Sequence, residues 1–428
     1  MPATLTATDV LPKMARIRQR LFSAPLTDDA LRAAIADEMG KLRLGEKISP
    51  GQSVAIGAGS RGIDRYAMIV GAVVQAFAAA EARPFVYPAM GSHGGATAEG
   101  QRGVLASLGI TEETIGCPIK SDMDVVALGQ TPQGLTVYLD KNAAAADHVF
   151  VVNRIKPHTN FRGRIESGMM KMLAIGSGKH VQASTIHRYG VAGLTDHMPH
   201  VARAVMSQSP VLGGLAILED ALHTATRVVA VPTDQMELKE MALLEEVRAW
   251  QPNLPADELD LLMVDRIGKE ISGVGMDPNV IGRCRLIDFT AFDTPRIAVI
   301  TLHDLTEKTA GNALGVGMAD IVTRRIAEKY DLNKTSINAL VGFSPAMAAL
   351  PIAVESDRDA IERALTFLMA PKRPETIRAI HIRDTLNLET MEVSEAVAEE
   401  IAGRDGIDIL SPAEEMEFDA AGNFAGRR

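Results

Sequence analysis

The residues best suited to chemistry lie between Asn153 and Gly190, NRIKPHTNFRGRIESGMMKMLAIGSGKHVQASTIHRYG. Ser167, Gly168 and Lys171 form an S-G-x-x-K, His187 follows the lysine by sixteen residues, and Pro157-His158 stands upstream. Imidazole exchanges protons near neutral pH, which suits it to acid/base work. The preceding run His148–Asn153, HVFVVN, is apolar and β-branched enough for a buried strand. Pro157 stops regular structure, and the Met-rich run around Lys171 predicts a short buried helix. Polar groups leaving a buried strand stand at the open end of a sheet, where α/β proteins bind ligands. A single histidine there is an ordinary hydrogen-bonding residue, and Met169, Met170 and Met172 read as core filling. The spacing of the whole set carries the functional reading.

Two earlier loops belong with it. A strand over Ser53–Ile56 runs into Gly57-Ala58-Gly59-Ser60-Arg61-Gly62, a G-x-G-x-x-G between a predicted strand and helix. An NAD site would need an acidic residue at the end of the next strand, and Pro84–Ala89 has none. An NAD-dependent oxidoreductase using this turn stays as an alternative; the simpler statement is a turn that admits a phosphate or ligand oxygen. Arg61 is either a solvated loop charge or a planar fork for a carboxylate. The next strand runs into Met90-Gly91-Ser92-His93-Gly94-Gly95-Ala96-Thr97. Its glycines allow close approach of backbone to ligand around His93, and Thr97 is a helix cap signal.

This arrangement resembles the nickel-dependent lactate racemase family, whose members carry a Pro-His before S-G-x-x-K. The resemblance implies a nickel-pincer nucleotide held covalently on Lys171, with Ser60 and Gly168 in the cofactor-binding set and His187 as the nickel ligand. His93 and His158 become the acid/base pair, and Arg61 the residue for the substrate carboxylate. Departures are visible. The family's Asp-x-Thr-Arg is here Ala58-Gly59-Ser60-Arg61, keeping the Arg and losing the Asp, and Gly94 replaces an Arg. Extra residues between His158 and Ser167 bring in Arg162 and Arg164, read as surface charge or as further substrate contacts. In the second half Asp277-x-Asn279 aligns with a family motif, Ile281 and Gly282 replace its Tyr-Gln, and Lys269, Arg283 and Arg285 are candidates for its cation.

The C–H bond of a 2-hydroxy acid is too weakly acidic for imidazole, so its hydride must go to a cofactor. An apolar, Met-rich surrounding would favour the neutral amine that attachment to Lys171 requires. The expectation is a racemase or epimerase of a 2-hydroxy acid larger or more polar than lactate, with that acid and cofactor-biosynthesis proteins as partners. A non-catalytic metabolite-binding homologue is the remaining alternative.

The elements that must position these residues read as α/β throughout: two α/β domains with a cleft between them, the N-terminal one Rossmann-like. The boundaries are 1–254 and 255–428, set by the linker signal Gln251-Pro252-Asn253-Leu254-Pro255. In the first domain helices are expected over 12–24, 28–43 and 235–250, strands over 212–218 and 227–231, and a hairpin near 129–137. In the second, strands are expected over 259–265, 297–302 and 336–340, and helices near 317–329, 357–369 and 391–403. The pair His197 and His200 is read as structural, because Pro199 interrupts it. The 428 residues are 46% apolar and 23% charged, a globular profile with room for two cores. A net charge of −10 disfavours nucleic-acid binding, two cysteines exclude a disulfide framework, and no long apolar run or secretory leader is present. The expected location is the cytoplasm, with no membrane partner.

Overall fold

The computed structural model describes residues 11–60, 62–159, 161–286, 292, 294–342, 344–368 and 372–425. They divide into two compact units, Phe22–Gln251 and the described residues on either side of it. Strand β1 (Met14–Gln19) replaces the helix expected over 12–24. Ala15 and Ile17 are buried while Arg16 and Arg18 face out, the period of two that a half-buried strand imposes. β1 joins the unit that resumes at Pro252.

The unit Phe22–Gln251 contains β2 (Ser53–Ala58), β3 (Arg83–Pro88), β4 (Val125–Gln130), β5 (Thr136–Asp140), β6 (His148–Arg154), β7 (Val211–Glu219) and β8 (Ala225–Pro232). β4 and β5 form a separate hairpin, and the others make a sheet in the order β3-β2-β6-β7-β8. The first four are parallel; β8 returns antiparallel along β7. Val149 to Val152 of β6 are all buried, as a strand covered on both faces must be. The helices Asp28–Lys41 and Tyr66–Ala79 bring Leu31, Ile35, Ile69, Val73 and Phe77 against Ile56, Phe150, Val152 and Leu215. Full burial of each such side chain contributes roughly 1.5–3 kcal/mol. Thr27 caps the first of these helices by accepting the Ala30 N–H. Met169 packs on Gly214 from the opposite face, where the helices Met198–Gln208 and Met236–Trp250 also lie.

This topology fixes where a ligand would go. From β2 the chain steps outward to β3, then passes back over β2 to lay β6 on its other side. The strand order reverses between β2 and β6. Their C-terminal ends flank the crevice in which open α/β sheets bind ligands.

The second unit adds β9 (Glu258–Ile267), β10 (Arg296–Leu305), β11 (Ile321–Thr323), β12 (Ile352–Val354), β13 (Ala379–Ile382), β14 (Thr390–Ser394) and β15 (Ile407–Ile409). Among the described residues they form one sheet, β12-β11-β10-β9-β13-β14-β1-β15. It is parallel from β12 to β13 and antiparallel beyond. The strand expected over 336–340 is instead part of the helix Leu332–Val341, which Asp331 caps by accepting the Lys334 N–H. The helix expected near 317–329 is β11 followed by the helix Arg324–Lys329, and that near 391–403 is β14 followed by Glu395–Ile401. In both cases a short buried strand turns directly into a helix, and one periodicity cannot describe the whole segment.

Candidate functional site

Because β2, β3 and β6 are parallel, the segments that follow them leave one edge of the sheet: Gly59–Ser60 after β2, Ala89–His93 after β3, and Lys156–His158 after β6. Ser60 is half-buried, His93 is exposed and His158 half-buried, with its ring packed on Phe161 at 4.5 Å between centroids. Arg61 lies outside the described residues. The loop carrying His158 is closed at its neck, where Lys156 and Ser167 exchange backbone hydrogen bonds of 2.9 and 3.2 Å. Inside it the fully buried Glu166 carboxylate accepts the His158 N–H at 2.5 Å, the Gly163 N–H at 3.0 Å and Arg248 Nη2 at 2.5 Å. Arg162 lies 3.7 Å from the same carboxylate and donates to the His158 carbonyl at 3.3 Å, so it braces the loop. Arg164 is exposed, and its charge helps hold Glu237 below the usual carboxylate range, after the larger contribution of Arg203.

Lys171 ends a single turn, Met169–Lys171, that continues as the π-helical turn Met172–Gly176. Such wide turns recur at functional sites. The turn is anchored at both ends. Asn153 of β6 donates to the Gly168 carbonyl at 2.9 Å, and Gly91, ahead of His93, donates to Gly176 at 3.0 Å. Met172 packs on Gly59, whose N–H is taken at 2.7 Å by Tyr66 Oη, which itself donates to Val152. Gly168 is required by packing: a Cβ there would stand 2.3 Å from Glu240 Oε1. Glu240 accepts the Met170 N–H at 2.9 Å, and burial pushes its carboxyl up to about 7 despite that bond. Burial, and then the nearby Lys171 charge, lower His187, which keeps its imidazole neutral at pH 7. A neutral imidazole offers a lone pair that can ligate a metal.

Three buried groups that hold the site were not singled out in the sequence: Glu166, Glu240 and Lys179. Lys179 is fully buried, 3.0 Å from Asp140, and donates to the Pro88 carbonyl at 2.5 Å and to Gln101 at 3.0 Å. Gln101 in turn donates to the Gly91 carbonyl at 2.8 Å and the His93 carbonyl at 3.3 Å, which ties the His93 loop to the sheet.

The remaining candidates have other duties. Gly57 lies within β2, where a Cβ would approach Tyr87 Oη at 3.0 Å, and the next helix begins only at Tyr66. That is unlike a phosphate-binding turn opening a helix. His197 packs on Tyr189, and His200 lies 3.4 Å from Arg203. In the second unit Asp277 caps the helix Pro278–Ile281, Arg283 binds Asp320 at 2.7 Å, Arg285 approaches the same carboxylate at 4.0 Å, and Lys269 donates to Asn338 at 2.5 Å. Ile281 is core, and a Cβ on Gly282 would fall 1.9 Å from the Pro295 carbonyl. Glycine stands at 282 for lack of space, and Ile281 and Gly282 line a cavity of about 460 Å³ together with Glu258, Arg283 and Arg296.

The first unit is thus an α/β sheet whose C-terminal edge gives rise to the His93 and His158 loops, with the Lys171 turn anchored to β6 and to Gly91. Residues 15–192 match the family described as the lactate racemase N-terminal domain. The structure resembles that of the lactate racemase apoprotein from Thermoanaerobacterium thermosaccharolyticum, with a TM-score of 0.50 and 10% identity over 90% of this chain and 96% of that one. A protein from Thermotoga maritima is similar at a TM-score of 0.46 and 11% identity, over 66% of this chain and 72% of that one. No curated protein matches by sequence. The family match is confined to residues 15–192, and the likeness to the apoprotein is one of fold.

Proposed function

We propose that the chain is a racemase or epimerase of a 2-hydroxy acid, working with a nickel-pincer nucleotide attached to Lys171. The family match supports a racemase or epimerase type of function in general. The observation that carries the finer reading is the half-buried Lys171 on a turn that passes into a π-helical turn and is tied to β6 through Asn153, with His187 near enough to feel its charge. Those residues fit the group: an amine to anchor it, one imidazole nitrogen to complete a coordination sphere the cofactor otherwise supplies, and the Gly59–Ser60 turn and Gly168 close by. When bound, the cofactor supplies the electron-poor hydride acceptor that no side chain provides.

The chain's own part is then proton transfer and orientation. His158 and His93 exchange the substrate hydroxyl proton, one for each enantiomer, and Arg61 is assigned the carboxylate. Glu166 and the Lys179–Gln101 pair fix the backbones of the two histidine loops. The preference for an acid larger or more polar than lactate rests on Arg164, because Arg162 is engaged by Glu166. The test is denaturing mass spectrometry and elemental analysis of protein co-expressed with cofactor-biosynthesis genes. The expected result is an adduct and nickel in wild type, no adduct in Lys171→Ala, and weaker nickel retention in His187→Ala. Unmodified wild-type mass without nickel would sink the proposal. A panel of enantiopure hydroxy acids, read by chiral chromatography, tests the substrate preference: turnover of lactate as fast as of any larger acid would refute it.

A further inference from the structure

Outside that site, Asp265 of β9, His303 of β10 and His381 of β13 stand together on three adjacent parallel strands. Register explains the meeting. β10 runs beside β9 with Leu302 opposite Val264 and Asp304 opposite Arg266, which puts His303 beside Asp265; β13 places His381 opposite Met263. Side chains two apart on a strand share a face, so all three point the same way. One donor atom from each lies within 4.8 Å of the others. His381 Nε2 is 2.5 Å and His303 Nδ1 3.6 Å from Asp265 Oδ1. Both imidazoles are almost fully buried, whereas the Asp265 side chain is 23% exposed and leaves a path from solvent.

The outer nitrogens are held as a metal site would hold them. Thr301 Oγ1 lies 3.2 Å from His303 Nε2, and the Glu392 carboxylate lies 3.5 Å from His381 Nδ1. Such contacts fix ring orientation and leave the other nitrogen to face an ion. His303 Nδ1 is buried and has no hydrogen-bond partner among the described residues. Buried polar atoms are nearly always paired, so an unpaired one aimed at a carboxylate marks a ligand position. Phe424 covers the group, 4.3 Å from the His381 ring and 5.5 Å from the His303 ring between centroids.

We propose that Asp265, His303 and His381 bind one divalent transition-metal ion of the zinc type, with a fourth position open to water on the exposed side of Asp265. Two imidazoles and a carboxylate make a common catalytic-type zinc donor set, and its bond lengths put neighbouring donors roughly 3.3 Å apart. The His303–Asp265 spacing already fits. The 2.5 Å His381–Asp265 contact is a hydrogen bond, and the ion takes the place of its proton. Binding leaves a neutral His381 Nε2 and an ionised Asp265 as ligands and releases to solvent any proton they shared.

The experiment uses the full chain, stripped with a chelator and titrated with Co2+ as a spectroscopic probe and with Zn2+ in the calorimeter. One equivalent with a visible tetrahedral Co2+ band is expected, in wild type and equally in His187→Ala and Lys171→Ala. Asp265→Asn and His303→Gln should weaken binding at least ~100-fold, since loss of a group that only orients a ligand already costs about 10–100-fold, with circular dichroism unchanged. No Co2+ band in wild type overturns the proposal without reference to any variant. Equal Zn2+ binding by wild type and a folded Asp265→Asn overturns it as well, as does loss of the single equivalent in His187→Ala.

Discussion

Two carboxylates, the fully buried Glu240 under the Lys171 turn and the half-buried Asp265 in the second unit's sheet, shift in opposite directions. Burial raises both. Among the described residues Glu240 meets backbone N–H groups and the repulsion of Glu237, so burial wins and its carboxyl is pushed up to about 7. Asp265 faces two imidazoles, which outweigh burial and hold it well below the usual carboxylate range. A buried acid is set by the charge beside it more than by its depth. The two regions are also assembled differently. The Lys171 region hangs on loops and single turns braced by Glu166, Glu240 and Lys179, whereas the Asp265 cluster sits on three paired strands. The first is held in place by individual buried side chains; the second is fixed by sheet register.

The largest effect should come from the two histidines proposed for acid/base work. His158→Ala or His93→Ala in cofactor-loaded protein should lower kcat by about 10²–10⁴-fold, the span general acid–base catalysis supplies. Each should spare one direction of racemisation more than the other, measurable as unequal initial rates from the two enantiomers. Equal, small losses would show that the loops do not deliver the pair.

Glu166→Ala removes the fully buried carboxylate in the His158 loop that Arg162 and Arg248 approach, leaving Arg248 its second partner Glu245. Breaking a buried pair from one side costs about 3–5 kcal/mol, and the partly exposed Arg248 places this change near the lower figure. Chemical denaturation should show that loss, whereas Arg164→Ala should change stability by less than about 0.5 kcal/mol. Similar effects of the two would mean that the loop is not braced through Glu166.

Gly168→Ala drives a methyl into Glu240 and should cost about 1–3 kcal/mol by overpacking. Glu240→Ala in the same chain should recover part of that loss. Strict additivity of the two changes would contradict the contact.

The smallest effect is the pH dependence from Glu240. Its folded pKa lies above the unfolded value of 4.5, so the folded state holds the extra proton. Its contribution is fully present below about pH 4.5 and is lost as pH rises through about 7. Between pH 6 and pH 8 the loss should be roughly 1 kcal/mol, and Glu240→Gln should remove that slope from the stability curve. An unchanged slope in the variant would assign the titration elsewhere.

The sequence by itself determined the α/β class, the strands 53–58, 148–154, 211–219 and 258–267 to within a few residues, and the S-G-x-x-K with its histidines. Each of these is a local pattern, a run of apolar residues or a fixed spacing, and local patterns survive in one dimension. It misread 12–24 and 336–340. β1 is too short to display its alternation against a helix, and Ser336 to Leu340 is apolar enough for either form until Asp331 caps it. Only the tertiary structure decided that Gly282 faces the Pro295 carbonyl, that Arg162 turns to Glu166, and that Asp265, His303 and His381 meet across more than a hundred residues of chain. Those outcomes depend on strand register and on which charge a buried group finds beside it. Both are set by the packing of the whole unit, because a one-residue slip would turn every side chain of a strand to the other face.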